Sequence, residues 1–416
     1  MNLSRRVAEL RPSSTVAIAA TANRLRAEGQ DVVSFAAGQP DFDTPQKIKD
    51  AAAKALTDGK TGYGPPPGDA DSRAAVAEKL ARENGIAGLT PEHVVLSSGG
   101  KQCLYLVFQA LLDPGAGHEV ILPTPAWVSY VPQIELAGGT VVEVPAGPEQ
   151  HFKITPEQLR AALTPRSRLF VLNSPSNPCG VMYTPDEIRG LAAVLAEAAS
   201  SVCPDLVIVT DEIYEKLIYG DAEHLSMGAI PEIADRTVTI NGLSKAYAMT
   251  GWRLGYLAAP GAFGLALAKG AAKLQGQIST CVTHFVMPAV RVALEECGDE
   301  VEEMRLAFAR RAERMYTKLS AMPGVVCPPP TGAFYAFPDL SAHFGTTSAG
   351  GAPITSAVSL ATALLEEQLV AAVPGDDFGG CGDRCVRFSF ACSDDDIDRG
   401  MDRLAAFLGG LSARRD

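Results

Sequence analysis

Five short stretches of this chain carry residue types that do chemistry, and four of them follow runs of apolar, β-branched residues. In Ser244-Lys245-Ala246-Tyr247-Ala248-Met249-Thr250-Gly251-Trp252-Arg253 the amine of Lys245 stands among small and apolar neighbours. Such surroundings disfavour the ammonium form and so make an amine nucleophilic. Arg253 adds a guanidinium whose bidentate geometry suits a phosphate. In Thr210-Asp211-Glu212-Ile213-Tyr214, Asp211 ends the most apolar run of the chain. A carboxylate there is costly unless it meets a cation, and a protonated ring nitrogen is one such cation. Asn173-Ser174-Pro175-Ser176-Asn177-Pro178-Cys179-Gly180 is a loop stiffened by two prolines, able to hold Asn177 as a fixed donor. Ser98-Gly99-Gly100-Lys101 joins a strand to a helix, where backbone N–H groups can face an anion. Finally Arg387 lies within Val386-Arg387-Phe388-Ser389-Phe390, where a bare cation needs an anionic partner.

Each stretch also has a plainer reading. Lys245 taken alone could be a surface lysine with its stem laid on apolar neighbours. Asp211 could cap a helix, and Asn177 could make an ordinary Asx turn. Glycines are common at strand-to-helix turns, and Arg387 could serve an internal salt bridge. Cys381 and Cys385 flank Gly382-Asp383-Arg384 without a second cysteine pair or a nearby histidine, so they read as a loop and no metal is expected.

The elements that must position these residues follow from the hydrophobic pattern. Strands are expected at Val94–Ser98, Val120–Pro123, Val141–Val144, Leu169–Leu172, Leu206–Thr210, Val238–Ile240 and Leu254–Leu257, alternating with helices. Short β-branched runs between helices predict an α/β fold with a mainly parallel, buried sheet, which places ligands at the carboxyl ends of its strands. Residues 1–30 read as a helical arm, and a helix is expected from about Gln46 to Asp58. Past residue 290 a long charged helix, about Val290 to Met322, leads into a smaller α+β region. The chain thus divides into residues 1–44 (an arm and part of the small domain), 45–290 (the large domain) and 291–416 (the small domain).

Composition narrows the function classes. The chain has 416 residues, 36 Lys+Arg against 48 Asp+Glu, a formal net charge of −12, and 47% hydrophobic residues. Without a basic run it has no electrostatic footprint for nucleic acid or an anionic membrane. No stretch is long and apolar enough for a transmembrane helix, and the first residues lack the apolar core of a secretory signal. Nine scattered cysteines, an odd number, suit reduced thiols in a cytoplasm.

Taken together, the segments resemble those of the class I aminotransferases in the aspartate aminotransferase superfamily of pyridoxal-5′-phosphate (PLP) enzymes, fold type I. The resemblance runs in order through Gly38-Gln39-Pro40-Asp41-Phe42, Tyr63, Gly99-Gly100-Lys101-Gln102, Trp127-Val128-Ser129-Tyr130, Asn173–Gly180, Asp211-Glu212-Ile213-Tyr214, Ser244-Lys245, Arg253 and Arg387. It implies that Lys245 forms the internal aldimine with PLP and then moves the proton between the substrate Cα and the cofactor. It implies further that Asp211 keeps the pyridine nitrogen protonated, that Tyr214 and Asn177 bind the phenolic oxygen, and that Trp127 stacks on the ring. Arg253, Ser244 and the backbone at Gly99, Gly100 and Lys101 would bind the phosphate. Tyr63 would reach the phosphate of a neighbouring subunit, so a homodimer is implied. Arg387, helped by Asn177 and the Gly38 backbone, would grip the substrate α-carboxylate.

Within that superfamily Gly99-Gly100-Lys101-Gln102, Trp127-Val128-Ser129-Tyr130 and the arm Pro12-Ser13-Ser14-Thr15-Val16 resemble the bacterial aspartate and prephenate aminotransferases. That resemblance makes Lys101 the reader of a distal carboxylate, and implies amino transfer from L-aspartate, or a glutamate- or prephenate-like dicarboxylate, to 2-oxoglutarate. The chain departs from the branch at Gly62, Ser176, Cys179 and Gly242, and in the segment Gln277–Pro288 with its Cys281, His284, Phe285 and Met287. These departures spare the cofactor residues and bear on the substrate. They leave a PLP enzyme of another reaction type, such as elimination, replacement or carbon–carbon bond formation, as the alternative.

Overall fold

The computed structural model describes residues 3–8, 10 and 14–413. Of the arm motif, Pro12 and Ser13 lie outside the described residues, and Ser14 opens the helix Ser14–Ala27.

Seven strands form the central sheet: β1 (Val94–Ser97), β2 (Glu119–Thr124), β3 (Thr140–Pro145), β4 (Ser167–Asn173), β5 (Val207–Asp211), β6 (Thr237–Gly242) and β7 (Gly255–Ala258). Their order is β1-β7-β6-β5-β4-β2-β3. Strand β7 runs antiparallel to both β1 and β6, and all other pairs are parallel. The alternation within each strand feeds two cores. Val120, Leu122, Val171, Val209 and Ile240 meet the helices α1 (Gly100–Leu111) and, further along the chain, α3 (Gly261–Ile278) on one face. Ile121, Phe170, Leu172 and Ile208 meet α2 (Pro185–Ala199) on the other. Burial on both faces is why the inner strands read as largely apolar runs, with Asp211 standing at the carboxyl end of β5.

A second core gathers the C-terminal residues. Here β8 (Tyr335–Ala336), β9 (Val373–Pro374) and β10 (Val386–Ser389) form an antiparallel sheet with β10 in the middle. The helices α4 (Gly298–Ser320) and α5 (Asp394–Gly409) cover it. The N-terminal segment joins in: Val33–Ser34 pairs parallel with Val370–Ala371, and Phe35 lies in the same core. The single helix expected over Val290–Met322 is divided. One helix covers Ala289–Glu296 and α4 starts at Gly298, because Cys297 adopts φ −110 and ψ 25, outside the helical range. The glycine that follows costs a helix interior roughly 1 kcal/mol, so the break falls where helix propensity is weakest. Among the described residues no helix is long and apolar enough to cross a membrane.

Candidate active site

The expected residues converge where the sequence pattern placed them. Ser98-Gly99-Gly100 leaves β1, Asn177 follows β4, Asp211 ends β5 and Lys245 follows β6. Strand β7 enters the sheet from Arg253 and runs antiparallel, so its amino end lies at the same edge as the carboxyl ends of its neighbours. Gly255 pairs with both Ser97 and Gly242, which fixes that alignment.

Asp211 is buried, with 5% of its surface exposed. Its Oδ2 accepts from the Tyr130 hydroxyl at 2.7 Å and its Oδ1 from the Ile213 N–H at 3.3 Å. No helix begins there, so the helix-cap reading of Asp211 does not hold. Burial outweighs these hydrogen bonds and pushes the carboxyl up to about 6. A cation against Asp211 would reverse that shift. Lys245 shows the opposite imbalance. Burial first, then the charges of Arg387 and Arg253, brings its ammonium down to about 7. Its Nζ donates to the Gly38 carbonyl and stands 5.9 Å from the centre of the Tyr214 ring. An amine with these surroundings is deprotonated readily near neutrality, which a nucleophile requires.

Arg253 holds its exposed guanidinium against the start of α1, with NH2 donating to the Ser98 carbonyl at 3.0 Å and NH1 to the Thr250 carbonyl at 2.9 Å. Gly99 must be glycine here. Its φ is +82, and a Cβ would lie 2.5 Å from the Arg253 guanidinium. Gly242 has a packing reason as well, since a Cβ there would come within 2.9 Å of the Leu254 carbonyl. Ser244 is buried just past β6. Lys101 places its Nζ 4.8 Å from the Trp127 ring centre, and burial, then the charge of Arg253, lowers its ammonium pKa. Trp127 in turn packs edge-on against Tyr130, with ring centres 5.4 Å apart.

Arg387 is 2% exposed. Its NH1 donates to Asn177 Oδ1 at 2.9 Å and its NH2 to the Ala36 carbonyl at 3.2 Å, while Nε has no partner. Asn177 is held by its own backbone N–H, which donates to Asn173 Oδ1 at 2.9 Å. Burial lowers the pKa of Arg387, and the neighbouring Tyr335 and Tyr214 offset this only in part. Among the described residues no carboxylate forms an ion pair with Arg387, so an internal salt bridge does not account for it. A buried guanidinium with one unsatisfied donor and no counter-charge is built for an anion that arrives from outside.

Tyr63 stands apart from this group, 87% exposed on a loop whose Gly62 carbonyl meets His284 Nδ1 at 3.2 Å. Two site residues were not assigned a part by sequence reasoning. Tyr130 was visible only as the companion of Trp127, and its hydroxyl partner Asp211 is 81 residues away. Tyr335 sits in an apolar run and gave no signal, because its partner Tyr214 is 121 residues away. Cys381 lies in a short 3-10 turn, Gly380–Gly382, and its Sγ donates to the Thr124 carbonyl at 3.1 Å, while the Cys385 thiol is buried.

The donor set fits one kind of group. A low-pKa amine, a buried carboxylate lacking a cation, and an arginine beside a helix start match an aldehyde, a pyridine nitrogen and a phosphate. The fold and the site therefore define a PLP-dependent enzyme of fold type I. The chain belongs to the class I and II aminotransferases, whose family model matches residues 30–404, and its cofactor is PLP. It is 43% identical over 411 residues to the aspartate/prephenate aminotransferase of Cereibacter sphaeroides, covering 99% of each chain. It is 43% identical over 409 residues to the aspartate aminotransferase of Geobacillus stearothermophilus, covering 98% of this chain and 99% of that one. Among solved structures, the aspartate aminotransferase of Rhizobium meliloti superposes with a TM-score of 0.92 at 35% identity, over 99% of this chain and 100% of that one. The Thermus thermophilus aspartate aminotransferase with maleate gives 0.88 at 41% identity, over 98% and 100%.

Proposed function

We propose that this enzyme transfers the amino group of L-aspartate to 2-oxoglutarate by a ping-pong mechanism, with glutamate- and prephenate-like acids as related substrates. The observation that carries this reading is Arg387, buried beside Lys245 without a carboxylate of its own. The cofactor supplies an electron sink that stabilises negative charge at the substrate Cα. Everything else is done by side chains. Lys245 would hold PLP covalently and would carry the proton to and from the substrate Cα. Asp211, oriented by Tyr130, would keep the ring nitrogen protonated. Tyr214 and Asn177 would donate to the phenolic oxygen, and Trp127 would cover the ring. Arg253, Ser244 and the N–H groups of Gly99, Gly100 and Lys101 would bind the phosphate.

Arg387 and the Gly38 backbone orient the substrate α-carboxylate, with Asn177 holding the guanidinium in place. Fixing the carboxylate would fix the orientation of the bonds at Cα, and so decide which of them breaks. Lys101, poised over Trp127, reads the distal carboxylate. Tyr63 serves a second copy of this chain, which its exposure supports, so the working unit is a homodimer. Residues 45–290 act as the cofactor-binding domain, and residues 1–44 with 291–416 as the domain that presents Arg387. The enzyme works in the cytoplasm, where its free thiols stay reduced.

The test is a spectrum of the purified protein before and after L-aspartate is added without any oxo acid. A shift of the covalently bound cofactor band, stoichiometric with released oxaloacetate, is expected. A band that persists, or a product other than oxaloacetate, would overturn the reading in favour of a different PLP reaction.

A further inference from the structure

We infer that Tyr335 is a positioning residue that couples the carboxylate grip of Arg387 to the Tyr214 hydroxyl. This rests on the roles proposed above for those two residues.

Tyr335 is 1% exposed and touches both sides of the site. Its hydroxyl lies 3.0 Å from the Tyr214 hydroxyl, and its ring centre lies 4.6 Å from the Arg387 guanidinium carbon. The strand register produces this. Tyr335 on β8 faces Ser389 on β10, and Arg387 is the same-face diagonal neighbour two residues earlier. The Tyr335 carbonyl also lies against Gly180 in the asparagine loop, so closely that any Cβ at Gly180 would strike it. The hydroxyl is close to Gly38, whose Cβ, if present, would be in ordinary contact with it at 3.5 Å, and the Gly38 carbonyl takes the Lys245 ammonium. Tyr335 therefore touches Tyr214 and Arg387 with its side chain and the asparagine loop with its backbone carbonyl, and its hydroxyl lies beside Gly38, which holds Lys245.

Either hydroxyl can donate in the Tyr335–Tyr214 pair, and Arg387 decides which. A guanidinium over the Tyr335 ring makes that phenol the more acidic of the two and hence the better donor. With Tyr335 donating, the Tyr214 proton is free to point outward at the cofactor oxygen. When a carboxylate binds Arg387 it neutralises the charge over the ring, so the Tyr335 phenol loses acidity and the Tyr214 contact is retuned. Substrate binding is then felt at the cofactor without any movement of the backbone.

Two variants of the holoenzyme separate the ring from the hydroxyl, with maleate as a dicarboxylate that lacks an amino group. In Tyr335→Phe the ring stays over Arg387, so maleate affinity remains within about twofold of wild type. The pH midpoint of the bound cofactor band moves by roughly half a unit, a differential interaction of about 0.7 kcal/mol. The change in that midpoint on adding maleate shrinks. In Tyr335→Leu both contacts go, and maleate affinity falls about fivefold or more, as expected for a desolvated cation–π contact. A Tyr335→Phe enzyme whose midpoint and maleate response both match wild type would overturn the coupling. So would a folded Tyr335→Leu enzyme that binds maleate normally. If wild type itself bound no maleate, the proposed role of Arg387 would fail first, which is a separate result.

Discussion

Two sets of buried charges meet at consecutive residues, Asp211 and Glu212, and they are built on opposite principles. The set behind the site is closed. Glu215 takes Lys79 as an ion-pair partner, and Asn84 donates to Glu212 at 3.0 Å and to Glu215 at 2.5 Å. Lys79 also donates to Asn84 at 2.6 Å, and Ser226 donates to Glu212 at 2.7 Å. Lys79 first, then His224 and Asn84, bring Glu215 down to about 2 even though it is buried, whereas burial raises the pKa of Glu212. Glu212, Glu215 and His224 have ligand atoms within 4.8 Å of one another, but Lys79 already supplies the positive charge that a metal would bring. The set in the cleft is open. Asp211 is pushed up, Lys245 is pushed down, and Arg387 keeps an unpartnered Nε. Buried charges that satisfy one another hold the fold, whereas those left wanting define where a ligand belongs.

The sharpest break in this comparison is Lys245→Ala. It should abolish the covalent cofactor band and lower the transamination rate by about 10⁴-fold or more, since proton transfer alone contributes up to that much. It should leave folding stability nearly unchanged, as checked by thermal melting of the apoprotein. Next comes a matched pair. Lys79→Met strands the buried Glu215 carboxylate and should cost about 3–5 kcal/mol in urea unfolding. Arg387→Leu strands no carboxylate, so stability should hold or rise, while the KM for aspartate climbs steeply. Equal destabilisation by the two would erase the distinction between closed and open sets.

A third test uses pH. Between 3.8 and about 6 the folded apoprotein keeps a proton on Asp211 that the unfolded chain has lost. Stability therefore falls as pH rises through that window, and the penalty is complete above about pH 6. Apoprotein carrying Asp211→Asn should be more stable than wild type above about pH 6 and equal to it below 3.8, while the holoenzyme loses activity. The smallest effect is expected for Lys101→Ala, at the partly exposed rim of the open set. It should raise the KM for aspartate by about tenfold, the worth of one charge-assisted hydrogen bond, and leave alanine almost unaffected. Equal losses on both substrates would remove Lys101 from reading a distal carboxylate.

The open set was largely legible in the chain because each member interrupts an apolar strand or its exit. Asp211 at the end of β5 and Arg387 inside β10 are conspicuous as charges in buried text, and Gly99 marks a tight approach. The closed set was not legible. Lys79 and Asn84 belong to the helix Ala70–Glu83 and its cap, where nothing along the chain sets them apart, and only folding brings them to Glu215. Tyr335 was hidden for the converse reason, an apolar run in which one hydroxyl matters.

What the sequence determined by itself is the alternation of strand and helix, hence a parallel buried sheet, together with the side-chain types gathered at its edge. Those follow from local periodicity and from the cost of burying charge, and both are properties of short stretches. What only the tertiary structure decided is which charge meets which partner. Neither the missing counter-charge of Arg387, nor the hydroxyl pair of Tyr214 and Tyr335, nor the neutralised Lys79 could be read along the chain. Pairing depends on distances between residues far apart in sequence, and those distances are fixed only when both cores close.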